Sequence, residues 1–70
     1  SMFDTYIGTA RGVSRLRAGA LEPLGLADER IWAIHAWRDG DGVAILAGSY
    51  GNGLFRSDDA GRRWERVEPG

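Results

Sequence analysis

The segment Tyr6-Ile7-Gly8-Thr9-Ala10-Arg11-Gly12-Val13-Ser14-Arg15 returns later in the chain as Leu46-Ala47-Gly48-Ser49-Tyr50-Gly51-Asn52-Gly53-Leu54-Phe55-Arg56. Gly8 and Gly48 stand 40 positions apart and Gly12 and Gly53 stand 41 apart, the difference being one extra residue in the second turn. A unit near 40 residues that recurs within 70 leaves room for less than two complete copies. Units of this length bury a core by stacking on one another, so the period constrains the fold more tightly than any single residue.

Local periodicity then selects the kind of unit. Tyr6 to Thr9, Gly12 to Arg17, Ile31 to Trp37, Val43 to Ser49 and Leu54 to Arg56 are short apolar or β-branched runs bounded by glycine and aspartate, the pattern of strands. No stretch carries a clear helical period. Ala27-Asp28-Glu29-Arg30 tolerates helix, but Pro23 and Gly25 oppose it, and a strand over Ala20 to Leu24 followed by a loop is expected. A period near 40 made of short strands is the spacing of β-propeller blades, each a four-stranded sheet; HEAT repeats share the length but are helical. The expected fold is therefore all-β, with antiparallel four-stranded propeller blades in a partial propeller of about one and three-quarter blades. Labelled A to D outwards from the propeller axis, residues 1–27 supply an incomplete first blade with B near Thr5 to Thr9, C near Gly12 to Arg17 and D near Ala20 to Leu24. Residues 28–70 supply a complete second blade with A at Ile31 to Trp37, B at Val43 to Ser49, C at Leu54 to Ser57 and D at Trp64 to Val67. The strand order is B-C-D-A-B-C-D. Asp39-Gly40-Asp41-Gly42 and Gly51-Asn52-Gly53 supply the positive-φ residues of tight hairpins. Strand A is apolar on both faces, as a strand sandwiched between neighbouring blades requires.

Composition narrows the chemistry. There is no cysteine and one histidine, which excludes disulfides, thiolate zinc sites and histidine-rich metal centres. A net charge of −1 and a pI near 5.7 give no long-range pull on nucleic acid or anionic lipid, and neither partner is expected. All nine basic residues are arginine, a bias that genome composition explains as well as function does. No apolar run approaches the roughly 20 residues that span a bilayer, and no basic segment followed by an apolar one opens the chain. Ser1 before Met2 reads as a cloning remnant; with Met2 as the natural start, a cytoplasmic location is expected.

Ser57-Asp58-Asp59-Ala60-Gly61-Arg62-Arg63-Trp64 satisfies S-x-D-x-G-x-x-W at every defined position. It resembles the Asp-box, or BNR repeat, of sialidase-like propellers, and it follows a glycine-led strand at the C-to-D turn, where that family places it. Only this box is intact. In the first blade Arg15 to Leu21 spans six positions against eight from Arg56 to Trp64, Ser57 and Asp59 have no counterpart, Gly19 roughly replaces Gly61 and Leu21 replaces Trp64. The Ser57 hydroxyl and Asp59 carboxylate are expected to accept backbone N–H bonds within the turn, Gly61 to take the left-handed backbone angle that closes it, and Trp64 to fold back as an apolar plug between strands. Asp58 is expected to point to solvent. The resemblance puts the box on the outer rim, away from the central cleft where propellers bind ligands, so Asp59 is read as structural rather than as a catalytic acid or calcium ligand.

The remaining candidates are weaker. His35, in the innermost strand, either reaches a ligand near the channel mouth or is a hydrogen-bonded core residue among Trp32, Ile34 and Trp37, and the core reading is preferred. Arg11 and Arg38 lie in turns and resemble the arginines with which sialidases clamp a substrate carboxylate, but the clamp needs three arginines and a tyrosine-glutamate pair from different blades. Asp39-Gly40-Asp41 and Asp58-Asp59 lack the spacing of an EF-hand, and Gly48, Gly51 and Gly53 lack the strand-to-helix setting of a phosphate loop. No catalytic residue, metal or cofactor is expected.

Two uncovered blade faces, including Trp32, Ile34, Trp37, Ile45 and Phe55, and an unpaired edge at Tyr6 to Thr9 lead to a scaffold fragment that self-associates head to tail into a closed ring. Two other functions remain open: the N-terminal part of a sialidase-like glycoside hydrolase, with a carbohydrate ligand in the parent protein, or of an Asp-box propeller that binds or assembles other complexes. The isolated chain is not expected to be an enzyme, since glycoside chemistry needs two correctly spaced carboxylates in one cleft.

Overall fold

A computed structural model of the chain describes residues 4–68; the readings of Ser1 and Met2, and the last two residues of the second unit, lie outside them. Seven strands follow in order: β1 (Asp4–Thr9), β2 (Gly12–Arg17), β3 (Ala20–Gly25), β4 (Ile31–Asp39), β5 (Gly42–Ser49), β6 (Gly53–Ser57) and β7 (Glu65–Val67). Among the described residues there is no helix. The strands form two antiparallel meanders, a three-stranded sheet β1-β2-β3 and a four-stranded sheet β4-β5-β6-β7.

Hairpin chemistry fixes the order, because each short glycine-bearing turn can only return the chain to the strand it just left. The connection from Leu26 to Arg30 is the one that changes sheets. It is held by backbone bonds rather than by bulk: the Glu29 amide donates to the Leu26 carbonyl at 2.8 Å, and the Gly12 amide donates to the Glu29 carbonyl at 2.8 Å. Gly12 sits at φ +95°, a left-handed angle that glycine tolerates readily. A β-carbon there would also lie 2.2 Å from the Gly25 carbonyl oxygen.

The two sheets pack face to face over Val13, Ile31 and Ala47, with Leu24, Leu26, Ile34 and Trp64 closing round them. The approach is close at Gly8, where an added β-carbon would meet Ile31 Cγ2 at 2.7 Å. Two register shifts interrupt the plain alternation of the strands. Val13 pairs with Gly25 while Ser14 pairs with Pro23, leaving Leu24 as the extra residue; Ile31 pairs with Ser49 while Ala33 pairs with Gly48, leaving Trp32 as the extra one. Leu24 turns into the contact between sheets, and Trp32 lies over Gly48, its ring 3.4 Å from where a β-carbon would stand.

Three expectations need correction. Ile45 is fully buried and Ile34 packs against the inter-sheet core, so neither belongs to an uncovered face. Trp64 stands outside β7 because its ring leaves the ladder for the other sheet. β4 also runs two residues beyond Trp37, to Asp39, since Arg38 and Asp39 pair with Val43 and Gly42.

Gly12→Ala should destabilise the fold by about 1–3 kcal/mol more than Gly51→Ala, which shares a positive φ but has no atom within 4 Å of the added carbon. Urea denaturation of the two variants side by side measures the difference, and equal midpoints would refute the close approach.

Candidate functional site

The eight residues from Ser57, the last of β6, to Trp64, just before β7, make a closed hydrogen-bonded unit. Ser57, at the end of β6, is 1% exposed, and its Oγ accepts the Gly61 amide at 2.8 Å and the Asp59 amide at 3.3 Å. The same hydroxyl donates to Asp59 Oδ1 at 2.9 Å, and that oxygen also accepts the Arg63 amide at 2.8 Å. Two side chains thus satisfy three amides that the ladder leaves unpaired. Ala60 and Gly61 both take positive φ, 61° and 91°, and the Ala60 amide donates to the Val43 carbonyl at 2.9 Å, tying the turn to β5. The Arg63 amide, assisted by the Ser57 hydroxyl and the Arg62 amide, holds the Asp59 carboxyl below the usual carboxylate range against the opposing effect of burial.

The turn also reaches the other sheet. Leu24 packs where a Gly61 side chain would stand, 2.8 Å from Cδ1 to the position of the missing β-carbon. The Trp64 indole N–H donates to the Leu24 carbonyl at 3.0 Å across 40 positions of sequence. Ser57, Asp59, Gly61 and Trp64 therefore form one unit, whose inner part is a hairpin and whose outer part is a clasp between sheets.

Asp58 is exposed, but its Oδ1 accepts from Arg56 Nε at 2.7 Å, an ion pair where only solvent was expected. His35 is not a core residue. It is exposed and stacks on Trp37, ring centroids 5.3 Å apart and 23° between planes, while the Arg56 guanidinium lies 5.2 Å from the Trp37 ring centroid. Alternation along β4 explains this, since His35 and Trp37 share a face with Ala33 that the three-stranded sheet does not cover. Arg11 lies in the β1–β2 turn, near the Ile31 end of β4, and its amide donates to Thr9 Oγ1 at 3.0 Å. Arg38 lies seven residues further along β4, about 23 Å at strand rise, so the two arginines do not converge. An open depression of about 380 Å³ lies beside the turn, but Arg56 and the turn amides already engage its Asp58 and Asp59. Among the described residues no three acidic or histidine side chains gather at metal-binding distance.

No family model, curated protein or solved structure matches the chain. Its chemistry rests on its own geometry, which shows a well-bonded turn and two apolar sheet faces.

Asp59→Ala should lower the denaturation midpoint further than Asp58→Ala, because only Asp59 holds turn amides; equal losses would contradict the bonding described. The depressed carboxyl also gives a pH signature. A group with a lower pKa folded than unfolded stabilises above its unfolded value, and that stability is lost as pH falls through the folded value. The acid side of a stability profile should thus be shallower in Asp59→Ala than in the parent, and superimposable profiles would argue against a folded-state role for the charge. Trp64→Ala should cost about 3–5 kcal/mol, the usual range for a large aromatic holding a core, and Trp64→Phe only about 1 kcal/mol for the lost indole bond. A parent-like midpoint in Trp64→Ala would show that the clasp contributes nothing.

Proposed function

We propose that this chain is a self-associating β-scaffold whose sheets act as Asp-box propeller blades and whose copies stack into a closed ring. The observation that carries the reading is the apolar surface left open on both outer faces. On the four-stranded sheet Trp32 is 63% exposed, Tyr50 66%, Leu54 39% and Val67 40%; on the three-stranded sheet Leu21 is 60% and Leu16 37% exposed. Isolated exposed leucines are ordinary in soluble proteins, but a contiguous aromatic and aliphatic face on one small sheet marks a contact surface.

Shape supports the same reading. The backbone extends 35 × 27 × 16 Å, and the chain exposes 5049 Å², against about 4300 Å² for a compact folded monomer of this mass. β1 adds a strand at the edge of its sheet. Two sheets per copy give six in a ring of three copies and eight in a ring of four.

Light scattering coupled to size exclusion at micromolar concentration should return a discrete multiple of 7.6 kDa. A stable, folded species of one-copy mass would overturn the proposal.

A further inference from the structure

The two sheets repeat one another strand for strand. Gly8 pairs with Val13 as Gly48 pairs with Leu54, Ile7 with Ser14 as Ala47 with Phe55, and Arg15 with Glu22 as Arg56 with Glu65. Apart from the bulged Leu24, the positions between these pairs have counterparts on the other sheet, and the contact within the chain becomes a template. In that contact the three-stranded sheet presents Gly8, Val13 and Leu24, and the four-stranded sheet presents Ile31, Ile34, Ala47 and Trp64.

The counterparts of Gly8 and Val13 are Gly48 and Leu54, on the open face of the four-stranded sheet; the bulged Leu24 has none, and Val67, opposite Leu54 as Gly25 is opposite Val13, completes that face. The counterparts of Ala47 and Trp64 are Ile7 and Leu21, on the open face of the three-stranded sheet, where alternation along β2 also places Leu16. Each copy thus carries an unused half of the same joint at either end. We propose that copies join head to tail, the Leu54 and Val67 face of one four-stranded sheet seating on the Ile7, Leu16 and Leu21 face of the next copy's three-stranded sheet. This rests on the self-association reading and specifies which faces meet.

The side chains that differ between the two joints make a consistent exchange. Ile7 is larger than its counterpart Ala47 and Leu21 is smaller than its counterpart Trp64. The three-stranded sheet ends at β1, with no strand in the place that β4 takes in the other sheet. Trp32, lifted by the bulge over Gly48 and flanked by Tyr50 at 6.3 Å, is the group that fills the space beside β1 in the next copy. The faces differ in character, one aromatic and raised, the other aliphatic, so unlike faces meet and the contact is heterologous.

Two single-face variants decide the matter. Leu54→Glu blocks one face and leaves Leu21 intact; Leu21→Glu does the reverse, and the like charges keep the blocked faces apart. Each variant alone should run as one copy of 7.6 kDa, and an equimolar mixture should form a 1:1 pair of twice that mass. A mixture that stays at one-copy mass, or a single variant that keeps the parent's mass or forms a dimer with itself, overturns the proposed joint. Far-UV circular dichroism checks that each variant is folded, and Leu54→Gln with Leu21→Gln replaces a pair that is not, under the same outcomes. A monomeric parent chain would overturn self-association altogether, whereas an oligomeric parent with failed complementation would overturn only this choice of faces.

Discussion

Neither sheet of this chain can bury an apolar face alone, and the contact that joins them passes through one turn. Leu24 lies in the space that the missing side chain of Gly61 leaves, and its carbonyl accepts the Trp64 indole N–H. Any residue other than glycine at position 61 would push Leu24 away, while a shift of Trp64 would take the indole N–H from the half-buried Leu24 carbonyl. The local bonding of Ser57 and Asp59 matters because it holds that small gap and that large ring at fixed places.

Short strands give this contact little redundancy. Ion pairs such as Arg17 with Asp4 and Arg56 with Asp58 lie at exposed positions and contribute little to stability. The core itself is small, with Val13, Ile45, Ala44 and Ala47 fully buried. A fold with so slight a core gains from any further surface it can cover, which is why the open faces count for more here than in a larger domain. In the assembly we propose, repetition would supply that surface, each outer face carrying half of the joint found within the chain.

The bulges decide how the faces are used. The bulge at Trp32 lets Ile31 and Ile34, three residues apart, share the inter-sheet face, while the indole lies over Gly48. Both bulges add a bend and extra twist to their strands, so they shape the surface offered to a neighbour as well as its composition.

The period of 40, the seven strands and their antiparallel neighbours were all legible in the residues, because glycine-bearing turns and short β-branched runs act locally. Ser57, Asp59 and Gly61 were legible for the same reason, their bonds spanning no more than four residues. What lay beyond the sequence was the side of each sheet on which a residue would end. Ile34 and Ile45 went inward while Trp32 and His35 stayed outward, and Trp64 left its strand to reach Leu24. A strand's side chains change face whenever its register slips by one residue, and register at a bulge depends on the partner strand and on the opposing sheet, which are settled only when the tertiary structure forms.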